Sequence, residues 1–195
     1  MSFGLLSWQT YKINVFFMKM PIIIAAVVVL VFIMQSLFPS ITDYLSLNKT
    51  ALYEPWRIIT YAFAHANAMH IFYNIFALVL FGLILENIIG PKNFVKIYFS
   101  GIIVSGAVAL LFYSSIIGAS GAVFAVLGCL TVLRPKLIVW VYGIPMPMVM
   151  AAFVWIAIDI FGMVVPSNVA NAGHIAGILF GIIVGTILRK KYSER

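Results

Sequence analysis

Ser120 stands between Gly118-Ala119 and Gly121 at the head of an apolar stretch, residues 118–128. Glycines beside it place no side chain in the approach to its hydroxyl. A serine becomes a nucleophile once a neighbouring base takes its proton. Histidine is the side chain best matched to that work near neutral pH. His174 and His70 both lie within apolar stretches, and Asn74 follows His70 by one helical turn, on the same face. Each of these residues also has a plainer use. Small-xxx-small patterns let membrane helices approach closely, and Ser, Asn and His in such helices serve structural hydrogen bonding. The elements that carry them must decide between chemistry and packing.

Those elements are membrane spans. The chain of 195 residues is 64% hydrophobic and only 9% charged, with a mean hydropathy of +1.14. A soluble domain is about half apolar and about a quarter charged. The composition therefore describes an all-α, polytopic membrane protein, read as a single domain over residues 1–195 with little beyond its spans. The single cysteine, Cys129, sits in an apolar run, which excludes an intramolecular disulfide and reads as a small apolar filler. A net charge of +7 raises nucleic acid as a partner, but the basic residues are scattered at span ends. That pattern sets topology rather than binding. No nucleic acid, cofactor or metal is expected, and membrane lipid is.

Six apolar runs predict six transmembrane helices, at residues 22–38, 69–89, 94–113, 120–133, 148–164 and 172–188. Residues 1–19 read as an interfacial N-terminal segment. The run that follows is too long for a cleaved signal peptide and ends in no small-residue cleavage site. Residues 40–68 form a long first loop carrying Asp43, Lys49, Glu54 and Arg57 among the aromatics Tyr44, Tyr53, Trp56, Tyr61 and Phe63. Aromatics of this kind favour the headgroup layer. Residues 114–119 are a short uncharged connection, 137–147 an amphipathic, aromatic loop, 166–168 a turn, and 189–195 a tail. An even number of spans puts both termini on one side. That side receives Lys12, Lys19, Lys92, Lys96, Arg134, Lys136, Arg189, Lys190, Lys191 and Arg195, and the other only Lys49 and Arg57. The basic side is the cytoplasm.

The fourth span is short. Ser120 to Arg134 is 14 residues, about 21 Å of helix against a hydrocarbon core of about 30 Å. With Arg134 at the cytoplasmic face, this helix starts mid-membrane and Ser120 lies below the far surface. The 114–119 connection must then dip inward, and irregular backbone at that depth requires surrounding protein or a water-filled cavity. His174 precedes Arg189 by 15 residues and Asn74 precedes Gly90 by 16, about 22 and 24 Å along their helices. Serine, two histidines and asparagine thus share one depth on three helices. Polar groups so placed are costly and point to function. Gly173, Gly177, Gly181 and Gly185 recur every fourth residue, and Gly121, Ala125 and Gly128 give the fourth span its own small face. Packing the two faces brings Ser120 and His174 together.

Gly118-Ala119-Ser120-Gly121, His70-Ile71-Phe72-Tyr73-Asn74 and Gly173-His174-Ile175-Ala176-Gly177-Ile178-Leu179-Phe180-Gly181 resemble the GxSG, HxxxN and AHxxGxxxG motifs of the rhomboid family of intramembrane serine proteases. Trp56-Arg57 resembles its WR pair, and Glu86-Asn87-Ile88-Ile89-Gly90 its ExxxG. The resemblance runs over residues 53–185 with the motifs in order. In this sequence Gly173 replaces the family's usual Ala. Phe124 stands where some members have Tyr; it can stack on the His174 ring but cannot donate a hydrogen bond.

The resemblance implies a six-helix core and a Ser120–His174 dyad acting through an acyl-enzyme. His70, Asn74 and the Ser120 amide would stabilise the oxyanion, with Gly118, Gly121, Phe124, Gly173 and Gly177 supporting the site. No carboxylate is expected to complete a triad, and Asp159 is read as structural, bonded to nearby backbone. His65 is read as a polar residue at the cavity mouth that orders the loop. The fifth span, with Phe153, Trp155 and Phe161 and few glycines, is the expected lateral gate. The substrates implied are transmembrane proteins, cut near the outer face at helix-weakening segments with a small residue before the scissile bond. The expected location is a plasma (inner) membrane. A non-catalytic relative that binds membrane clients would lack the serine or the histidine, and both are present. A small histidine-dependent transporter would need charged groups along a through-path, which the cytoplasmic halves of the spans do not offer.

Overall fold

The computed structural model describes residues 19–165 and 169–192; the interfacial segment (residues 1–18), the turn at 166–168 and residues 193–195 of the tail lie outside the described residues. Helix α1 (Met20–Leu37) opens with Pro21 in its first turn, where a missing N–H costs nothing. Pro39 then leads into the short helix α2 (Ser40–Leu45). Strand β1 (Leu47–Asn48), two 3₁₀ turns (Lys49–Leu52 and Tyr61–Phe63) and α3 (Arg57–Thr60) complete the first loop. Arg57 staples that loop: its side chain is buried, pairs with Glu54 at 2.7 Å and donates to the Ser46 carbonyl at 2.8 Å. The Thr50 hydroxyl and then Arg57 hold the Glu54 carboxylate below its usual range.

Helix α4 (Ala68–Ile89) is capped by Asn67, whose side chain accepts from the His70 N–H at 2.9 Å. Gly90, with φ 81°, ends α4, and Pro91 opens α5 (Pro91–Ala109). This helix starts and stops earlier than the apolar run at 94–113. The proline admits Lys92 and Asn93 into the first turn, and Leu111 and Phe112 donate to carbonyls three residues back, which tightens the end into a turn. Strand β2 (Ser115–Ile116) follows, then α6 (Ser120–Leu133), strands β3 (Ile138–Val141) and β4 (Ile144–Pro147), α7 (Met148–Val164) and α8 (Asn171–Tyr192).

The fold is thus mostly helical but not wholly so. β1 pairs antiparallel with β2, tying the first loop to the connection before Ser120. β3 and β4 form a hairpin where a loop was expected, with Ile138 opposite Pro147 and Val141 opposite Ile144. Ile138-Val139-Trp140-Val141 alternates exposed and buried, the pattern of a half-buried strand. Tyr142 (φ 50°) and Gly143 (φ 80°) supply the two left-handed residues of a tight hairpin turn.

Helix α6 is the hub, buried over most of its length, and its closest partner is α8. A Cβ at Gly177 or Gly181 would run into the carbonyl oxygen of Gly121 or Ala125, so the glycine stripe lies directly on the α6 backbone. Helix α7 is the loosest of the long helices: only Met148, Ala151, Ala152 and Asp159 are buried on it. Helix α8 continues through Arg189 to Lys191 rather than fraying into a tail there. Its last residue, Tyr192, is buried and its hydroxyl accepts from Asn93 at 3.0 Å. Among the described residues three helices, α1, α4 and α8, are long and apolar enough to cross a membrane, and α6 and α7 are shorter apolar helices.

Candidate active site

The start of α6, the first turn of α8 and the first turn of α4 meet at one point. Ser120 is the first residue of α6, so its amide N–H has no intrahelical partner. Its Oγ lies 2.7 Å from Nε2 of His174, one turn into α8. The pair meets because the small faces of α6 and α8 allow backbone contact beside it. Phe124, one turn below the serine, stacks on the His174 ring with centroids 4.4 Å apart and planes 6° from parallel. A Cβ at Gly121 would run into the Ser105 side chain of α5, and one at Gly177 into the Gly121 carbonyl oxygen, so neither position next to the pair admits a side chain.

Asp159 corrects the sequence reading. Its Oδ1 lies 3.0 Å from Nδ1 of His174, and its side chain is 6% exposed against 12% for the histidine. The carboxylate expected to bond nearby backbone is instead aimed at the imidazole. α7 and α8 bring the two together from 15 positions apart, a relation that no local spacing expresses.

Above the serine, Gly118 has φ 118°, a conformation open essentially to glycine alone. Its N–H donates to the Tyr61 carbonyl at 2.9 Å. Tyr61 is itself anchored: its hydroxyl donates to the Ile102 carbonyl at 2.6 Å and contacts the Ser105 Oγ at 3.1 Å. Burial pushes the Tyr61 phenol up to about 12. This chain of contacts fixes the 114–119 connection from the protein side, and neither Tyr61 nor Ser105 stands out in the sequence.

His70 faces the same point from α4. A Cβ built on Gly118 would lie 2.7 Å from His70 Nε2 and 3.9 Å from Ser120 Oγ, so both side chains flank the bare Gly118. The Ala66 N–H donates to His70 Nδ1 at 3.4 Å, which leaves the ring proton on Nε2, toward the serine. Asn74 is buried, and one of its amide protons goes to the His70 carbonyl at 2.9 Å; the other remains to serve a ligand.

His65 differs from its reading as a residue at the cavity mouth. It is only 2% exposed and packs edge-on against His70, with centroids 4.9 Å apart. Its backbone N–H donates to the Gln35 side chain at 3.0 Å, and its Nδ1 meets the Phe63 carbonyl at 3.3 Å. Burial, and then the neighbouring His70, lower its pKa to about 4. It is a neutral wedge behind His70.

Ser120, His174, His70 and Asn74 all line a crevice of about 1340 Å³ between α4 and α7. Phe124, Leu127 and Trp155 line it, together with residues of β3 of the hairpin. A separate space of about 10 Å³ lies against Ser120, bounded by Tyr61, Ser105 and Gly173. Among the described residues no cluster of His, Cys, Asp or Glu is arranged to hold a metal ion.

The profile of the rhomboid domain family matches residues 53–191. The chain belongs to the rhomboid family. Together with its apolar helices, this makes it an integral membrane protein. Relatives include the rhomboid protease GlpG of Haemophilus influenzae, 29% identical over 186 residues, covering 90% of this chain and 95% of the relative. Rhomboid protein 1, mitochondrial, of Saccharomyces cerevisiae is 29% identical over 164 residues, covering 78% of this chain. The mitochondrial RHOMBOID-like protein 6 of Arabidopsis thaliana is 35% identical over 141 residues, 69% of this chain. The chain spans nearly all of the Haemophilus rhomboid but 47% of the yeast one and 44% of the plant one. The rhomboid match takes in every residue gathered around the crevice.

Proposed function

We propose that this chain is an intramembrane serine endopeptidase that cleaves transmembrane proteins near the outer face of the membrane. The observation that carries the reading is the 2.7 Å hydrogen bond from Ser120 Oγ to His174 Nε2, opening onto a crevice in a rhomboid chain whose relatives include a rhomboid protease. Ser120 Oγ attacks the scissile carbonyl while His174 Nε2 takes its proton. The oxyanion forms beside the Ser120 amide, the Nε2–H of His70 and the free amide proton of Asn74. His174 then returns the proton to the leaving amine, giving the acyl-enzyme. Water enters from the outer face and attacks the acyl carbon while His174 takes its proton; His174 then passes that proton to Ser120 Oγ as the ester bond breaks and the acid leaves. The narrow space against Ser120, about 10 Å³, favours a small side chain before the cut.

In this reading all six long helices cross the bilayer, α6 from mid-depth, with both ends of the chain in the cytoplasm of a plasma (inner) membrane. The first loop lies in the headgroup layer, consistent with its highly exposed Leu52 and Tyr53. Substrate enters between α4 and α7. The outward face of α7, including Phe153 and Phe161, is exposed, and Phe81 of α4 meets Trp155 of α7 only edge-on, at 6.3 Å.

Purified protein in detergent is expected to label with a fluorophosphonate and to cut a single-span substrate. Ser120→Ala and His174→Ala each lower the rate by roughly a thousandfold or more. Labelling that survives Ser120→Ala overturns the reading. The entry route has its own check. With Cys129→Ala as background, Phe81→Cys and Trp155→Cys joined by a short thiol cross-linker block cleavage of the transmembrane substrate but leave fluorophosphonate labelling intact. Full cleavage after cross-linking rules out entry between α4 and α7.

A further inference from the structure

The geometry points to Asp159 as a positioning residue for His174, which holds the base of the Ser120–His174 pair in one tautomer and one orientation. This inference rests on the serine–histidine reading above. For Nε2 to accept the Ser120 proton, the neutral imidazole must carry its own proton on Nδ1. A buried N–H there needs an acceptor. Asp159 Oδ1, 3.0 Å away, is that acceptor.

The other contacts of the ring do not do this work. Phe124 fixes the plane of the imidazole, but a hydrocarbon face cannot choose between ring nitrogens or hold the ring against rotation within its plane. His70 faces the serine across Gly118 and is a donor there, not an acceptor for Nδ1. Asp159 therefore sets both tautomer and in-plane orientation. During attack, the proton moves from Ser120 Oγ to His174 Nε2, and the imidazolium forms beside a carboxylate that keeps its own charge. In a site of low dielectric that pairing is far stronger than in water.

A buried carboxylate can instead serve only to tie two helices. The tests separate the two roles. In ¹⁵N spectra of the intact protein, His174 is expected as the Nδ1–H tautomer, with a deshielded proton typical of a charge-assisted hydrogen bond. Asp159→Asn is expected to lose that signature and to slow fluorophosphonate labelling and kcat by about a hundredfold or more, with KM little changed. Asp159→Glu restores part of the rate. A wild-type His174 with its proton on Nε2 overturns the inference, even if Asp159→Asn fails to fold. So does an Asp159→Asn protein that melts lower but labels at the wild-type rate. Failure of the serine reading looks different: Ser120→Ala would still label, while the His174 tautomer would still report the Asp159 contact.

Discussion

Gly118→Ala is expected to leave the helices packed and to reduce both fluorophosphonate labelling and substrate cleavage by at least about a hundredfold. At φ 118° an alanine is held in a region that L-residues avoid, at a cost on the order of 1–3 kcal/mol. Space gives a second obstacle. The new Cβ would lie 2.7 Å from His70 Nε2 and 2.8 Å from Cε1, inside any real contact distance. The ring is the softer partner, because Gly118 is pinned by its hydrogen bond to the Tyr61 carbonyl. His70 is therefore pushed off the serine, and the donor it aims at the oxyanion goes with it. The two losses are separable by experiment. Thermal unfolding in detergent should shift by only a few degrees, whereas labelling collapses. An alanine variant that labels at the wild-type rate would show that His70 has no part in stabilising the oxyanion.

The contrast between Gly118 and Asp159 shows what the sequence carries and what it does not. Apolar length, basic residues at span ends and prolines locate the long helices within a few residues, because each signal is local to its own helix. Counting from Arg134, Arg189 and Gly90 places Ser120, His174, His70 and Asn74 at a common depth, because rise per residue is fixed. The every-fourth-residue glycines even identify which faces of α6 and α8 meet. Asp159 fails on the same logic. α7 has no small-residue stripe to say which side faces α8, so the direction of a single carboxylate on it cannot be read from spacing. His65 departs from its reading for another reason: its place at the end of the first loop suggests the cavity mouth, and only the Gln35 bond and the His70 ring show it to be buried behind His70 while it orders the loop. The hairpin after α6 was legible in principle from Val139, Val141 and Tyr142-Gly143, but Pro145 and Pro147 argue for a loop unless the partner strand is known.

Gly181→Leu is expected to be the most damaging single change for stability. The added side chain meets backbone, not a movable side chain. Its Cβ would collide with the Ala125 carbonyl oxygen and lie 2.8 Å from the Cys129 N. Neither atom can yield without separating α6 from α8, and these are the two most closely packed helices. Between membrane helices, close packing itself supplies much of the attraction, so lost contact is not made good by a hydrophobic effect. A loss of several kcal/mol follows. Activity should fall with it, since the 2.7 Å contact between Ser120 and His174 spans the same helix pair only a few residues away. Gly185→Ala gives the graded comparison. Its Cβ would sit at 3.0 Å from both the Cys129 carbonyl oxygen and the Val132 Cβ, a tight fit that a small tilt relieves. Its unfolding temperature should fall less, with labelling retained. A Gly181→Leu protein that melts with the wild type would mean that α6 and α8 are not held by backbone contact, and the positioning of His174 against Ser120 would need another cause.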